Sequence, residues 1–479
     1  MFVLFDRSNH VGPLHLKRKR KYTKITMILM PDEAITEQEL AESPAPLDSR
    51  RRKNKQFGRF LRILGPGIVT GAADDDPSGI ATYSQAGAQF GFATPWVMLL
   101  CYPLMTAVQE ACMRIGAVTG KGLAAVIREN YPKWLLYPVV FLVVAANTLN
   151  IGSDIGAMAA STQLLVPLPY PLLAVIFAVA MLLLEVFVSY KTYVKMLKWL
   201  AMALLAYILT GFLIHLPWKE ALLQTLIPHV KFNKEFLYIL VAILGTTISP
   251  YLFFWQTSET VEDEIASHRL AQRGGTPRLS KPYLKRLRID TAFGMLFSNV
   301  VAWFIIVVGA VVLGANGITN INSAADAAKA LEPLVQGFPN AGYIAKLIFS
   351  VGVIGIGLLA VPVLAGSSSY AISEAFNWKE GLYRKFKAAR AFYFIIIIST
   401  LAGLLFNFIG IDPIKALVFT AVFNGIAAVP LIFLIIMVSR RIDIMGEYRS
   451  RFWSQAGLVA AFIVMFAAAI ALIVSFILG

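Results

Sequence analysis

Cysteine is nearly absent from this sequence. Cys101 and Cys112 are the only two in 479 residues. They share one apolar segment, so neither a disulfide framework nor a thiolate metal cluster can be built from them. Histidine is sparse, and His215, His229 and His268 fall at the ends of apolar segments or between them. No nucleophile–base pair, phosphate-binding glycine loop or zinc spacing occurs, so nothing points to an enzyme or to a bound cofactor. The apolar run Phe2–Phe5 is far too short for a signal-peptide core, so cleavage and export are not expected. The polar tail and the polar stretch 257–289 are too short for a soluble output domain, which argues against a membrane sensor.

Apolar residues are abundant. They make up 57% of the chain, with a mean hydropathy of +0.67. Globular chains reach about 45–50% even with glycine counted, so the excess marks a polytopic membrane protein. The formal net charge is +15. A cytoplasmic bias of lysine and arginine accounts for it, and nucleic-acid binding is not inferred. Residues 1–56 stand apart. They carry Lys17-Arg18-Lys19-Arg20-Lys21, a Pro/Glu/Ala/Ser-rich run and Arg50-Arg51-Arg52-Lys53, and read as a disordered cytoplasmic tail. The remainder, residues 57–479, reads as one transport domain.

A crossing needs about 20 apolar residues, and by that measure the chain has about eleven. After the first run, Leu61 to Phe92, they are Pro95–Ile115, Leu135–Val166, Pro171–Tyr190, Leu197–Leu216 and Phe236–Trp255. Ala292–Ala315, Tyr343–Ile372, Ala391–Ile411, Ile414–Val438 and Gln455–Leu478 follow. With a cytoplasmic N-terminus, the inner loops hold Lys121, Arg128 and Lys133, then Lys191, Lys195 and Lys198, then the basic residues of 269–288, of 379–390 and of 440–451. The outer connections near Gly91 and Pro167 hold none, and the longer outer loop at 217–235 holds Lys219, Lys231 and Lys234. This alternation fixes both the count and the sidedness expected for a bacterial inner-membrane protein.

Two crossings are interrupted. The first carries Gly71-Ala72-Ala73-Asp74-Asp75-Asp76-Pro77-Ser78-Gly79, and its apolar halves are each too short to span alone. Carboxylates at mid-depth cost roughly 2.5–3.5 kcal/mol each on insertion scales, and proline with glycine denies a continuous helix. Irregular backbone is tolerated in a bilayer only where protein or a polar cavity surrounds it. The sixth crossing carries Gly245-Thr246-Thr247-Ile248-Ser249-Pro250-Tyr251. Breaks in the first and sixth crossings enter the membrane from opposite sides, the pattern of an inverted repeat with its substrate site between the breaks. Residues 61–216 would form one repeat, 236–438 the other, and 455–478 an extra helix. Freed carbonyls and helix C-termini there favour a cation.

Asp76 has two readings, a direct cation ligand or a helix cap. Asp74 and Asp75 have three: a second acidic ligand, a vestibule wall or a partner for an arginine. Ser249 and Tyr251 are oxygen donors or packing residues. Asp154 and Glu185 lie inside apolar crossings, as proton carriers or as structural hydrogen-bonding groups.

The run from Gly65-Pro66-Gly67 through Asp76-Pro77-Ser78-Gly79 to Gln85-Ala86-Gly87-Ala88-Gln89-Phe90-Gly91 resembles the first helix of the NRAMP family of divalent metal ion transporters. Arg114-Ile115-Gly116 with Val118-Thr119-Gly120-Lys121 and Arg128-Glu129-Asn130-Tyr131-Pro132 resembles that family's second helix and loop. The resemblance implies an all-α, LeuT-like 5+5 inverted-repeat fold. It also implies secondary-active transport of Mn²⁺ or Fe²⁺-type cations in symport with protons, by alternating access in a lipid bilayer. The family's Asp-Pro-Gly-Asn is here Asp76-Pro77-Ser78-Gly79, so Gly79 stands where an asparagine ligand is expected. Its Met-Pro-His is here Ser249-Pro250-Tyr251. Its carbonyl ligands fall on Ala73 and Thr246, and its tenth-helix glutamine is matched only by Asn424. The implied metal set is therefore Asp76, Ala73, Thr246, Ser249, Gly79, Tyr251 and Asn424. Asp154 and Arg390 match positions on the family's proton pathway. Oxygens in place of a thioether and an imidazole lean towards a harder ion such as Mg²⁺, with weaker proton coupling. A small organic solute carried on the same fold is the other alternative.

Overall fold

The computed structural model describes residues 70–71, 73–187 and 204–478. The basic tail, the first half of the opening apolar run, Lys191, Lys195 and Lys198, and the start of the fifth crossing lie outside the described residues. Among the described residues every regular element is helical. The principal helices of the first half are α1 (Pro77–Phe90), α2 (Trp96–Thr119), α3 (Leu123–Asn130), α4 (Lys133–Gln163), α5 (Tyr170–Phe187), α6 (Leu205–Leu213) and α7 (Trp218–Leu226). Those of the second half are α8 (Lys234–Thr247), α9 (Pro250–Ala266), α10 (Lys281–Val308), α11 (Ala341–Ala375), α12 (Arg390–Phe406), α13 (Pro413–Arg440) and α14 (Phe452–Leu478).

Among the described residues eight stretches, with α8 and α9 taken as one, are long and apolar enough to cross a membrane. The shorter α12, the described half of the first crossing and α6 accommodate the rest. Several helices overrun the apolar segments that mark them in sequence. Hydropathy sees only the part immersed in lipid, whereas a helix continues wherever its caps allow. The seventh crossing, for example, starts at Lys281, where the Ser280 hydroxyl accepts the Tyr283 amide and Pro282 fits the first turn. Its Lys285, Arg286 and Arg288 occupy that polar extension.

Both interruptions appear as designed helix ends. Residues 70, 71, 73 and 74 are helical, Asp75 bends away, and Asp76 is extended at φ −66°, ψ 172° before Pro77 opens α1. In the sixth crossing α8 ends at Thr247, Ile248 and Ser249 leave helical geometry, and Pro250 opens α9. A proline in the first helical turn loses no hydrogen bond, so each break restarts cleanly.

Burial separates inner from outer crossings. In the α8–α9 stretch 89% of the apolar window is buried, against 22% in α5 and 28% in α14. The outer two present Ile176, Val179 and Leu183, and Ile463, Phe466 and Ile473, to the surroundings, the surface a bilayer requires. Helix α4 packs on α11, α12 and α13, while α2 packs on α9, α10 and α14. Some contacts leave no room for a side chain. A methyl group on Gly245 would lie 2.1 Å from the Ala421 carbonyl oxygen and 2.3 Å from the Gly425 nitrogen, so α8 and α13 touch backbone to backbone. Gly87 meets Ile306 of α10 in the same way, at 2.0 Å.

Candidate cation site at the paired helix breaks

The two breaks meet inside the protein. The Ser78 hydroxyl lies 3.2 Å from that of Thr246, and the Tyr251 hydroxyl donates to the Ala73 carbonyl at 2.7 Å. The Tyr83 and Thr247 hydroxyls are 3.0 Å apart. Ala73, Asp76, Ser78, Thr246, Ser249 and Tyr251 are all buried.

Asp76 caps α1. Its Oδ1 accepts the Gly79 amide at 2.9 Å and the Ser78 hydroxyl, and its Oδ2 accepts Asn150 Nδ2 at 3.0 Å. A carboxylate offers about four acceptor sites, so three donors still leave room for a cation. Capping and cation binding, set against each other in the sequence, are therefore compatible at this residue.

The sixth crossing supplies neutral oxygens. The Ser249 hydroxyl lies 2.7 Å from the Thr246 carbonyl and 2.9 Å from the Gly245 carbonyl, closing the end of α8. Gly79 faces the same space. A Cβ there would sit 3.4 Å from Thr246 Oγ1 and 3.8 Å from Asp76 Oδ1, so the family's asparagine would project between them and its absence leaves room. Asn424 is buried on α13, next to the Gly425–Gly245 contact, and neither of its amide atoms has a hydrogen-bond partner among the described residues. Buried polar atoms left in this state are uncommon and call for water or an ion.

Asp74 and Asp75 point elsewhere. The Ser298 hydroxyl of α10 lies 2.8 Å from Asp74 Oδ2 and 3.1 Å from Asp75 Oδ1. Their partner is thus a serine rather than the arginine considered from sequence. Asp154 is fully buried on α4, one turn beyond Asn150, and both its oxygens lack hydrogen-bond partners among the described residues. The half-buried Glu185 on α5 likewise has no hydrogen-bond partner for either carboxyl oxygen among the described residues. Arg390 is not brought to the breaks. It is the exposed first residue of α12, whose buried side begins at Phe392.

Sequence reading missed Asn150 and Ser78. A signal for the first existed: Asn147, Asn150 and Asp154 recur at i, i+3 and i+7, one face of a helix. Asn147 secures that face by donating to Ser368 Oγ at 3.0 Å and to the Leu364 carbonyl at 3.3 Å on α11. Among the described residues no three His, Cys, Asp or Glu side chains gather into a metal-holding group. With Asp74 and Asp75 bonded to Ser298, the breaks offer the Asp76 carboxylate and several neutral oxygens.

The family model described as natural resistance-associated macrophage protein-like, Nramp, matches residues 67–475. The chain belongs to the Nramp family. Members are membrane transporters, so this Nramp chain is an integral membrane transporter and not an enzyme. It is 26% identical over 381 residues to the divalent metal cation transporter MntH of Caldanaerobacter subterraneus subsp. tengcongensis, covering 78% of this chain and 84% of that one. In structure it is similar to the Eremococcus coleocola manganese transporter, with a TM-score of 0.68 at 15% identity over 91% of this chain and 89% of that one. It is also similar to Mhp1, a nucleobase-cation-symport-1 family transporter, with a TM-score of 0.53 at 15% identity over 85% and 92% of the two chains. The Nramp fold here is the LeuT-like inverted repeat expected from the sequence, all-α with its first and sixth crossings broken.

Proposed function

We propose that this Nramp protein is a secondary transporter of divalent metal cations. The supporting observation is the meeting of the two breaks through Ser78 and Thr246 and through Tyr251 and the Ala73 carbonyl, with the buried Asp76 carboxylate bonded to Ser78 at the same place. The cation is held by the Asp76 carboxylate with oxygens of Ala73, Thr246 and Ser249. Tyr251, Gly79 and Asn424 shape the space around it. The chain is built of two repeats, 61–216 and 236–438, with 455–478 as an added helix, and one helix bundle rocks against the remaining scaffold around the site. The protein sits in a bacterial inner membrane with its basic N-terminal tail in the cytoplasm. Proton-coupled import is assigned to Asp154, a buried carboxyl one helical turn from a residue bonded to Asp76. Arg390 then serves as a cytoplasmic anchor of α12. Reconstituted protein that takes up no Mn²⁺ above empty liposomes would overturn the proposal.

The donor set favours a hard cation, because the ligands proposed on Asp76, Ala73, Thr246 and Ser249 are all oxygens. Hydroxyls, carbonyls and carboxylates suit Mg²⁺ and Mn²⁺, whereas a thioether selects softer ions. In proteoliposomes Mg²⁺ should block Mn²⁺ uptake at comparable concentration, and Cd²⁺ should block it poorly. The reverse ranking would show that soft donors still govern selection.

Tyr251 acts through Ala73. Its hydroxyl fixes the carbonyl at the end of the first half-helix, as outer partners of metal ligands do. Tyr251→Phe should weaken Mn²⁺ binding by about tenfold, within the range seen for outer-shell partners. Unchanged affinity in a calorimetric titration would reduce Tyr251 to packing.

A further inference from the structure

Far along the chain from the breaks, a cavity of about 190 Å³ opens where the α2–α3 turn, the loop after α9 and the loop after α11 come together. Five cationic side chains line it: Lys121, Arg128, Arg273, Lys379 and Arg384. Only two carboxylates, Glu129 and Glu380, share the wall. The site is built rather than incidental. Arg273 pairs with Glu380 at 2.6 Å and with Glu374 at 3.4 Å, and donates to the Ser258 carbonyl at 3.3 Å. Glu374 in turn accepts the Ala124 amide at the start of α3 at 2.9 Å and the Ser258 hydroxyl at 2.8 Å. The loop after α9 is pinned by Gly274, whose amide donates to the Gly120 carbonyl at 2.8 Å.

Pairing within the wall is incomplete. The Nε of Arg273 is buried with no hydrogen-bond partner among the described residues. Arg384 uses its Nε on the Tyr383 hydroxyl at 3.0 Å, and Lys379 is exposed. Burial pushes the Glu380 carboxyl up, against the pull of Arg273. Guanidinium forks with an unspent donor match the oxygens of a phosphate group. Trp378 also lines the cavity and stacks on Phe376 at 5.3 Å, which stacks on Tyr137 at 5.4 Å. All three rings are exposed, as aromatic side chains are at the level of lipid headgroups.

We propose that this cavity binds a phosphate-bearing anion, held by Arg273, Lys379 and Arg384, with an acidic phospholipid headgroup or a soluble phosphate as its source. A bound phosphate ties three connections together, so occupancy raises thermal stability. This inference does not depend on which cation, if any, the protein carries.

The test uses the full chain in neutral detergent. Short-chain phosphatidylglycerol, inorganic phosphate and, as a zwitterionic control, phosphatidylcholine are added separately, with melting temperature and native mass spectra as readouts. Wild type should retain and be stabilised by phosphatidylglycerol if the source is lipid, or by inorganic phosphate if it is soluble. Phosphatidylcholine should do neither. The Lys379→Gln/Arg384→Gln double variant, changed at one exposed and one half-buried position, should melt like wild type without added anion. It should bind the effective probe at least about tenfold more weakly, the loss expected when two charge-assisted hydrogen bonds go. Equal affinity in variant and wild type, or no binding of either anion to wild type, would overturn the proposal.

Discussion

Asp76→Asn is expected to abolish high-affinity Mn²⁺ binding while leaving the protein folded. Asparagine is as good an N-cap as aspartate, and its amide oxygen can still accept from Gly79. The introduced amide nitrogen would face Asn150 Nδ2, a donor against a donor. Asn150 has a free remedy, because its own Oδ1 has no partner among the described residues and a flip of the amide presents it. The fold should therefore lose less than about 1 kcal/mol, the usual cost of removing a cap outright. What disappears is the formal charge opposite the cation. Affinity should fall by at least about 100-fold, beyond the 10–100-fold typical of outer-shell changes. Asp76→Ala should lose binding and, in addition, the cap. Calorimetric titration of Mn²⁺ into both variants, with melting curves alongside, separates the two effects. Wild-type affinity in Asp76→Asn would remove this carboxylate from the site.

Gly245→Ala is expected to be the most damaging single methyl addition near the site. The new carbon would fall 2.1 Å from one backbone atom of α13 and 2.3 Å from another. Flexible side chains can swing away from such a contact; a helix backbone cannot. Overpacking a core costs about 1–3 kcal/mol when side chains yield, so a clash between two backbones should exceed the top of that range. Thr246 follows directly in sequence, and Asn424 precedes Gly425 on the opposing helix. Separating α8 from α13 therefore also pulls the oxygens of the site apart. The expected result is little monodisperse protein, or folded protein without uptake. Gly79→Ala is the control. Its methyl would meet the edge of the Tyr83 ring at 3.2 Å and Thr246 Oγ1 at 3.4 Å, contacts that side chains can relieve. If Gly245→Ala melts and transports like wild type, α8 and α13 do not cross in backbone contact.

The helix breaks were legible in the sequence because membrane burial makes backbone chemistry visible. Proline beside carboxylates, or beside hydroxyl residues, is costly inside an apolar run unless the helix stops there and the freed polar groups face protein or a cavity. The positions of Asp76, Thr246 and Ser249 follow from that. Partner choice was not legible. Asp74, Asp75 and Asp76 are consecutive and chemically identical, yet the restart of the helix at Pro77 turns Asp76 towards Asn150 and leaves the other two facing Ser298. A one-dimensional pattern cannot state which way a carboxylate points at a bend. Arg390 is a similar case. Its charge and its place before an apolar helix fit a membrane anchor and a proton pathway equally well, and the structure adds that it is exposed at the start of α12. The Arg273 network was hidden because it joins loops and helix ends more than 100 residues apart in the chain.

Gly87 of α1 meets the Ile306 carbonyl, and beyond α10 Gly309 and Gly314 press on the Ser84 and Ala88 carbonyls. Little side-chain cushion lies between these two segments, and so there is no soft layer on which one could slide past the other. Any reorientation that opens the protein to one side of the bilayer must carry both as a single beam. The bending is then left to the non-helical residues at the two breaks, Asp75–Asp76 and Ile248–Ser249, so that in the proposed cycle Asp76 and Ser249 belong both to the cation site and to the joint.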